Sequence, residues 1–419
     1  MKTEEYIQSH ADPNSKSPKR RSEFRTPNSE FEERACSTLN RASERAQNIP
    51  SFIVMDVLER AHELEREGQH IIHLEIGEPD FPTPQIICEG AVKAIQDGLT
   101  HYTHSLGILE LREAICEHYS EKYGVAFTPD QIVITSGTSP ALFMIFSALL
   151  EAGDEIIISN PHYPCYPNFA KFLGASPAFV NVYEEDGFQY RPEGIKKRLG
   201  SRSKAILINS PSNPTGNLLA PDRMEKIADM GPYIISDEIY HGLVYEEKEH
   251  SILEFTDRAF VLNGFSKAYA MTGWRLGYIV SPVDFVRPLQ KIQQNFFISA
   301  GSVSQWAGLT ALRRAGEDVE RMRSTYNERR KYMIQRLRDL GFGLAVEPAG
   351  AFYMLVNAKH LSDNSYELAF EILEKAGVGV SPGIDFGQNA EGYLRFSYAN
   401  SLENIKEGLN RIEDFLKNR

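Results

Sequence analysis

Apolar positions follow two periods along the chain, and the change of period divides it. From residue 130 to 281, short runs rich in β-branched residues alternate with segments of helical spacing. The runs are Ile132–Thr135, Glu155–Ser159, Ala178–Tyr183, Ala205–Asn209, Tyr233–Asp237, Ala259–Asn263 and Leu276–Ser281. Most are continuously apolar, as strands covered on both faces by helices are. Helical patterns such as Ala141–Leu150 and Arg223–Met230 lie between them. The expected fold class is α/β: a mostly parallel seven-stranded sheet with helices on both faces. Beyond it Val319, Met322, Tyr326, Met333, Leu337 and Leu340 recur three and four apart, which predicts a long helix. Strands over Ala351–Val356 and Gly392–Ser397 and a closing helix over Leu402–Leu416 predict a smaller α+β domain. Ahead of the sheet, Val54, Met55, Val57, Leu58, Ala61 and Leu64 predict a helix that stops at Gly68.

The first 40 residues carry neither period. They are polar, rich in Ser, Asn, Pro and charge, and are expected to be a disordered tail. No apolar h-region marks a secretory signal, and Glu4 and Glu5 argue against a mitochondrial leader. The basic cluster Lys16, Lys19, Arg20, Arg21 and Arg25 reads as solvated tail. The expected organisation is a tail over 1–45, an N-terminal segment over 46–78 packing with the small domain, a large domain over 79–312 and a small domain over 313–419.

Charge and cysteine usage narrow the function classes. With 45 Lys+Arg against 57 Asp+Glu, the net charge of −12 argues against general nucleic-acid binding. Cys36, Cys88, Cys116 and Cys165 form no C-x-x-C pair, so neither a zinc site nor a disulfide framework is expected, and no metal. No apolar run reaches membrane-spanning length. A cytoplasmic protein without membrane or nucleic-acid partners is the expectation.

Ligands on such sheets bind beyond the carboxyl ends of the strands, so the polar residues there matter most. Ile132–Thr135 runs into Ser136-Gly137-Thr138-Ser139 and a helix start, which suits a phosphate. Ala205–Asn209 leads to Asn213 in a turn-forming stretch. Tyr233–Ser236 delivers Asp237 and then Tyr240, and Ala259–Asn263 delivers Ser266-Lys267, with Arg275 eight residues on. Singly, each has an ordinary reading as cap, turn or solvated loop. Together they supply an imine-forming lysine, an acid to keep a heteroaromatic nitrogen protonated, and a phosphate cradle. Pyridoxal 5'-phosphate (PLP) needs that set.

Over roughly 45–419 the sequence resembles the class I aminotransferases of PLP fold type I. The segments that carry the resemblance are Gly77-Glu78-Pro79-Asp80-Phe81, Tyr102 with Gly107 and Leu111-Arg112, Ser210–Gly216 and Ser236–Tyr240. They continue with Ser266-Lys267, Gly273–Gly277, Pro348–Tyr353, Pro382-Gly383 with Phe386-Gly387, and Arg395–Ala399. The resemblance implies that Lys267 holds PLP covalently and later serves as the base. Asp237 would pair with the pyridine nitrogen, and Asn213 and Tyr240 with the ring oxygen. Tyr163 would stack on the ring, while Gly137, Thr138, Ser266 and Arg275 would hold the phosphate. Tyr102 would reach the phosphate of a neighbouring subunit, implying a homodimer. Arg395 would grip the substrate α-carboxylate, with Gly77 and Asn213 also at the substrate. Lys267, Asp237 and Tyr240 form the expected catalytic set.

One position departs from the family pattern: a hydroxyl residue often precedes the lysine by three, where this chain has Gly264. Slightly weaker cofactor binding is the expectation. Competing motifs fail on context: Gly377-Val378-Gly379 follows a helix, His62-Glu63 lacks a second histidine, and Gly137–Ala141 lacks the last glycine of a hydrolase elbow. The implied activity is ping-pong transfer of an amino group from an L-amino acid to a 2-oxo acid. A β-lyase or other elimination enzyme of the same fold is the alternative. A regulator with an aminotransferase-like domain would need a DNA-binding domain, for which the polar tail is too small.

Overall fold

Strand pairing in this computed structural model, which describes residues 42–419, builds one seven-stranded sheet and two smaller pairings. After β1 (Ile72–His73), the large sheet comprises β2 (Ile132–Thr135), β3 (Glu155–Asn160), β4 (Ser176–Asn181) and β5 (Ser203–Asn209). It is completed by β6 (Tyr233–Asp237), β7 (Ala259–Gly264) and β8 (Gly277–Val280). The order is β2-β8-β7-β6-β5-β3-β4, with β8 antiparallel to both neighbours and the remaining pairs parallel. The expectations for residues 1–41, including the basic cluster and Cys36, lie outside the described residues.

Alternate residues of these strands feed two cores. Ile134, Ile157, Ile206, Ile208, Ile234 and Val261 pack on one face. Val133, Ile156, Ile158, Leu207, Ile235 and Leu262 pack on the other. Two-sided burial explains why the strands read as continuous apolar runs, each buried Val or Ile contributing about 1.5–3 kcal/mol. β4 lies at the sheet edge and starts two residues before the expected Ala178. Pro177 is tolerated there because an edge strand can spare an N–H.

The chain after residue 315 forms the long helix Gly316–Asp339, then β9 (Tyr353–Asn357), the helix Ser365–Ala376, β10 (Val378–Gly379), β11 (Ser381–Pro382) and β12 (Tyr393–Ser397). The helix Leu402–Lys417 closes it. β9, β12 and β11 make an antiparallel sheet in the order β11-β12-β9, and β10 pairs in parallel with β1. Leu74, Tyr326, Met333, Phe352, Ile372, Phe396 and Leu409 share a third core. The helix Ile53–Arg66 buries Val54, Val57, Ala61 and Leu64 along one stripe, as its spacing requires. Considered by itself, the segment up to Ile49 contains a helical turn, Glu44–Asn48, capped by the Ser43 hydroxyl, where tail was expected. No helix among the described residues is long and apolar enough to cross a membrane.

Candidate active site

The parallel strands deliver their polar ends to one side of the sheet, and antiparallel β8 begins on that same side. A cavity of about 230 Å³ opens there, lined by Asn209, Asn213, Asp237, Tyr240, Lys267 and Arg395 among others. Gly77 and Tyr163 also line it. Residues 320 positions apart meet here, the Arg395 guanidinium bonding the Glu75 carbonyl.

Lys267 stands just after β7, its Nζ donating to the Gly77 carbonyl at 2.6 Å. Its ammonium is pushed down from the ordinary 10.5 to about 8, chiefly by burial. Glu78 opposes that shift, while Arg395 and Arg275 add to it. Asp237 ends β6, 5% exposed. Its Oδ2 accepts from the Tyr166 hydroxyl at 2.7 Å and its Oδ1 from the Ile239 N–H at 3.2 Å. Burial nonetheless raises it to about 6, because those bonds and Lys267 only partly offset the lost water. Such a carboxylate suits a cationic partner, as a protonated ring nitrogen would be.

Arg395 projects from β12. It donates to Asn213 Oδ1 at 2.9 Å, to the Glu75 carbonyl at 2.6 Å and to Ser381 Oγ at 3.0 Å. The guanidinium carbon lies 4.3 Å from the Tyr353 ring centre and 4.8 Å from that of Phe386. Its Nε is buried without a partner. A planar cation in contact with two aromatic rings and with donors to spare suits a carboxylate. Asn213 is itself positioned by its N–H bonding Asn209 Oδ1 at 2.8 Å, and Asn209 Nδ2 bonds the Asp237 carbonyl at 2.9 Å. Tyr240 donates to the Tyr353 hydroxyl at 3.2 Å, and burial holds its phenol far above the ordinary range.

The expected phosphate residues lie beside this cavity. Gly137, at φ +98°, precedes the helix Thr138–Leu149, and a Cβ on it would come within 2.5 Å of Arg275 Nη2. The Arg275 guanidinium therefore rests against the glycine backbone at a helix N-terminus, where N–H groups lack partners. Ser266 is buried next to Lys267. A buried lysine whose ammonium is pushed down, a buried carboxylate suited to a cation and this cradle fit PLP. Tyr102 is the exception, 87% exposed.

Gly264 has a packing reason. It pairs with Gly277 across β7 and β8, and a Cβ on it would lie 2.9 Å from the Leu276 carbonyl and 3.0 Å from Gly277 Cα. The neighbouring backbone occupies the space a hydroxyl residue would need. The sequence reading missed Tyr166, Asn209 and the cavity wall Phe52–Leu58. A tyrosine in an ordinary amphipathic helix gives no sign of the carboxylate it faces. Tyr353 lay in a recognised segment, but only folding shows it against Tyr240 and Arg395.

Fold and site together define a PLP-dependent aminotransferase of fold type I. The profile of the class I and II aminotransferases matches residues 69–412, and the chain belongs to that family, whose cofactor is PLP. It is 46% identical over 378 residues to the (5-formylfuran-3-yl)methyl phosphate transaminase of Methanocaldococcus jannaschii, spanning 89% of this chain and 99% of that protein. Against the aspartate/prephenate aminotransferase of Thermus thermophilus the identity is 37%, over 88% of this chain and 97% of that one. Among solved structures, a Methanococcus jannaschii protein described as similar in its active site to kynurenine aminotransferases matches with a TM-score of 0.84. Its identity is 45%, covering 90% of this chain and all of that one. Thermus thermophilus aspartate aminotransferase with maleate gives 0.86 at 36% identity, covering 90% and 99%.

Proposed function

We propose that the enzyme transfers an amino group from an L-amino acid to a 2-oxo acid by a ping-pong cycle, in a homodimer. The observation that carries this reading is Lys267, Asp237 and Arg395 lining one cavity. PLP, when bound, supplies a ring that withdraws electrons from the donor's α-carbon. Lys267 would hold it covalently and would take the proton from the donor's α-carbon. A side chain lowered to about 8 is matched to this work near neutral pH. Asp237 keeps the ring nitrogen protonated, with Tyr166 fixing the carboxylate's orientation. Asn213 and Tyr240 bond the ring oxygen, and Tyr163 covers the ring. Gly137, Thr138, Ser266 and Arg275 hold the phosphate. Arg395 orients the donor by its α-carboxylate, with Gly77 and Asn213 beside it.

Tyr102 reaches the phosphate of a neighbouring subunit, a reading supported by its exposure and that of Phe296 and Ile298. The free thiols of Cys88, Cys116 and Cys165 support a cytoplasmic location. We divide the chain from Pro50 onward into a large domain over 79–312 and a small one over 313–419, with the segment before residue 79 packing on the latter. The deciding experiment follows the visible band of the lysine-bound cofactor. A single amino acid should remove the band and a 2-oxo acid should restore it. Release of pyruvate and ammonia without an acceptor would instead establish elimination.

A further inference from the structure

Tyr353 opens β9 and is 1% exposed, which by itself describes a core tyrosine. Its neighbours say more. Tyr353 pairs with Ser397 and Leu355 pairs with Arg395, so Tyr353 and Arg395 are diagonal neighbours on one face of the small sheet. The guanidinium carbon lies 4.3 Å from the Tyr353 ring centre. The hydroxyl of the same side chain lies 3.2 Å from that of Tyr240, and the two rings meet edge-on at 85°. Both tyrosines line the cavity. Resting on the transaminase reading, we propose that Tyr353 is a positioning residue with two tasks. Its hydroxyl supports Tyr240 at the cofactor's ring oxygen, and its ring holds Arg395 for the donor's carboxylate. One side chain then ties the group that tunes the cofactor to the group that orients the substrate.

Two glycines make this placement possible. A Cβ on Gly77 would collide with the Tyr353 hydroxyl, and one on Gly216, at φ +72°, would lie 2.6 Å from the Tyr353 carbonyl. A side chain at either position would push the tyrosine out of place. The chemistry follows from the single proton of each hydroxyl. A bond between two hydroxyls can run in either direction. With Tyr240 donating to the ring oxygen, Tyr353 becomes the donor to Tyr240. A hydroxyl that accepts a bond is the stronger donor for it, so the Tyr353 hydroxyl favours the ionised ring oxygen. Burial keeps the Tyr353 phenol above the ordinary 10, with Arg395 opposing the shift, so the proton it would donate is in place near neutral pH. The charged groups acting on the tyrosine pair are Arg395 and Asp237, and Tyr163 and Tyr398 are its other titratable neighbours.

The test uses the holoenzyme and follows the pH midpoint of its visible cofactor band, a readout that needs no turnover. Tyr353→Phe keeps the ring and loses the hydroxyl, so the midpoint should rise by about 0.4–1 pH unit, the equivalent of one neutral hydrogen bond. In a Tyr240→Phe background the same substitution should move it by about 0.2 unit at most, because Tyr353 acts through Tyr240. An unchanged midpoint in Tyr353→Phe, or an equal shift in both backgrounds, would overturn the hydroxyl's role. Tyr353→Leu removes the ring as well. Loss of an aromatic contact to the guanidinium should raise KM for amino acids roughly 3- to 30-fold above that of Tyr353→Phe. Equal KM values in the two variants would overturn the hold on Arg395. Tyr353→Phe preserves the packing, so it decides the hydroxyl's role even if Tyr353→Leu does not fold. If no single amino acid removes the band from the wild type, the transaminase reading falls, while the midpoint comparison still decides on Tyr353.

Discussion

Lys267 offers a prediction whose size follows from the structure. Its ammonium is lowered from 10.5 to about 8 by burial, and at 1.36 kcal/mol per pH unit the difference amounts to about 3 kcal/mol. In cofactor-free protein at pH 7 the lysine is protonated in both folded and unfolded chains, so the whole cost of burying the charge falls on the fold. Between about pH 8 and 10.5 the folded chain has released the proton while the unfolded chain keeps it. The unfolded state then binds more protons, and stability from this group rises with pH. Lys267→Met removes the titration along with the bond to the Gly77 carbonyl, and that lost bond is a nearly constant offset. The assay is urea unfolding of cofactor-free wild type and variant at pH 7 and 9.5. The wild type should gain about 2 kcal/mol relative to the variant over that interval, since about 1.5 pH units lie above the titration. Buried tyrosines titrate alike in both proteins and cancel. A relative stability constant to within about 0.5 kcal/mol would refute the argument that burial lowers this lysine.

Arg395→Lys replaces a clamped fork by a single charge, and loss of a charge-assisted hydrogen bond of about 1.5–3 kcal/mol should lower kcat/KM for amino acids roughly 10- to 150-fold. Steady-state kinetics checks it, and retention of wild-type values would exclude the carboxylate role. Gly264→Ser puts a Cβ 2.9 Å from the Leu276 carbonyl, so it should lower Tm rather than tighten PLP binding; calorimetry and cofactor titration separate the two. Tyr102→Ala should weaken PLP retention while leaving the thermal stability of the cofactor-free protein nearly unchanged, because the side chain is 87% exposed. Equilibrium dialysis against PLP measures the first effect.

Much of the scaffold was legible because burial on two faces leaves a plain mark on sequence. Tyr233–Asp237 and Ile132–Thr135 match their observed strands, and the helix expected over Leu402–Leu416 spans Leu402–Lys417. Boundaries slipped where hydrogen bonding, not hydrophobicity, sets them. β4 begins at polar Ser176 because it pairs with Glu155, a partner no local pattern announces. The reversed direction of β8 is equally silent, since an apolar run reads the same either way.

By itself the sequence determined the class of chemistry: Lys267, Asp237, Arg275 and Arg395 are residue types that the cofactor and a carboxylate demand, and strand-end placement makes them converge. Only the tertiary structure decided how those groups are tuned and what surrounds them. Tyr166 on Asp237, Tyr353 against Arg395, the backbone that excludes a side chain at Gly264 and the wall from Phe52 to Leu58 are long-range contacts. Residue type travels with the chain, whereas burial and partner distance exist only once the chain has closed on itself, and those two set pKa values and pocket shape.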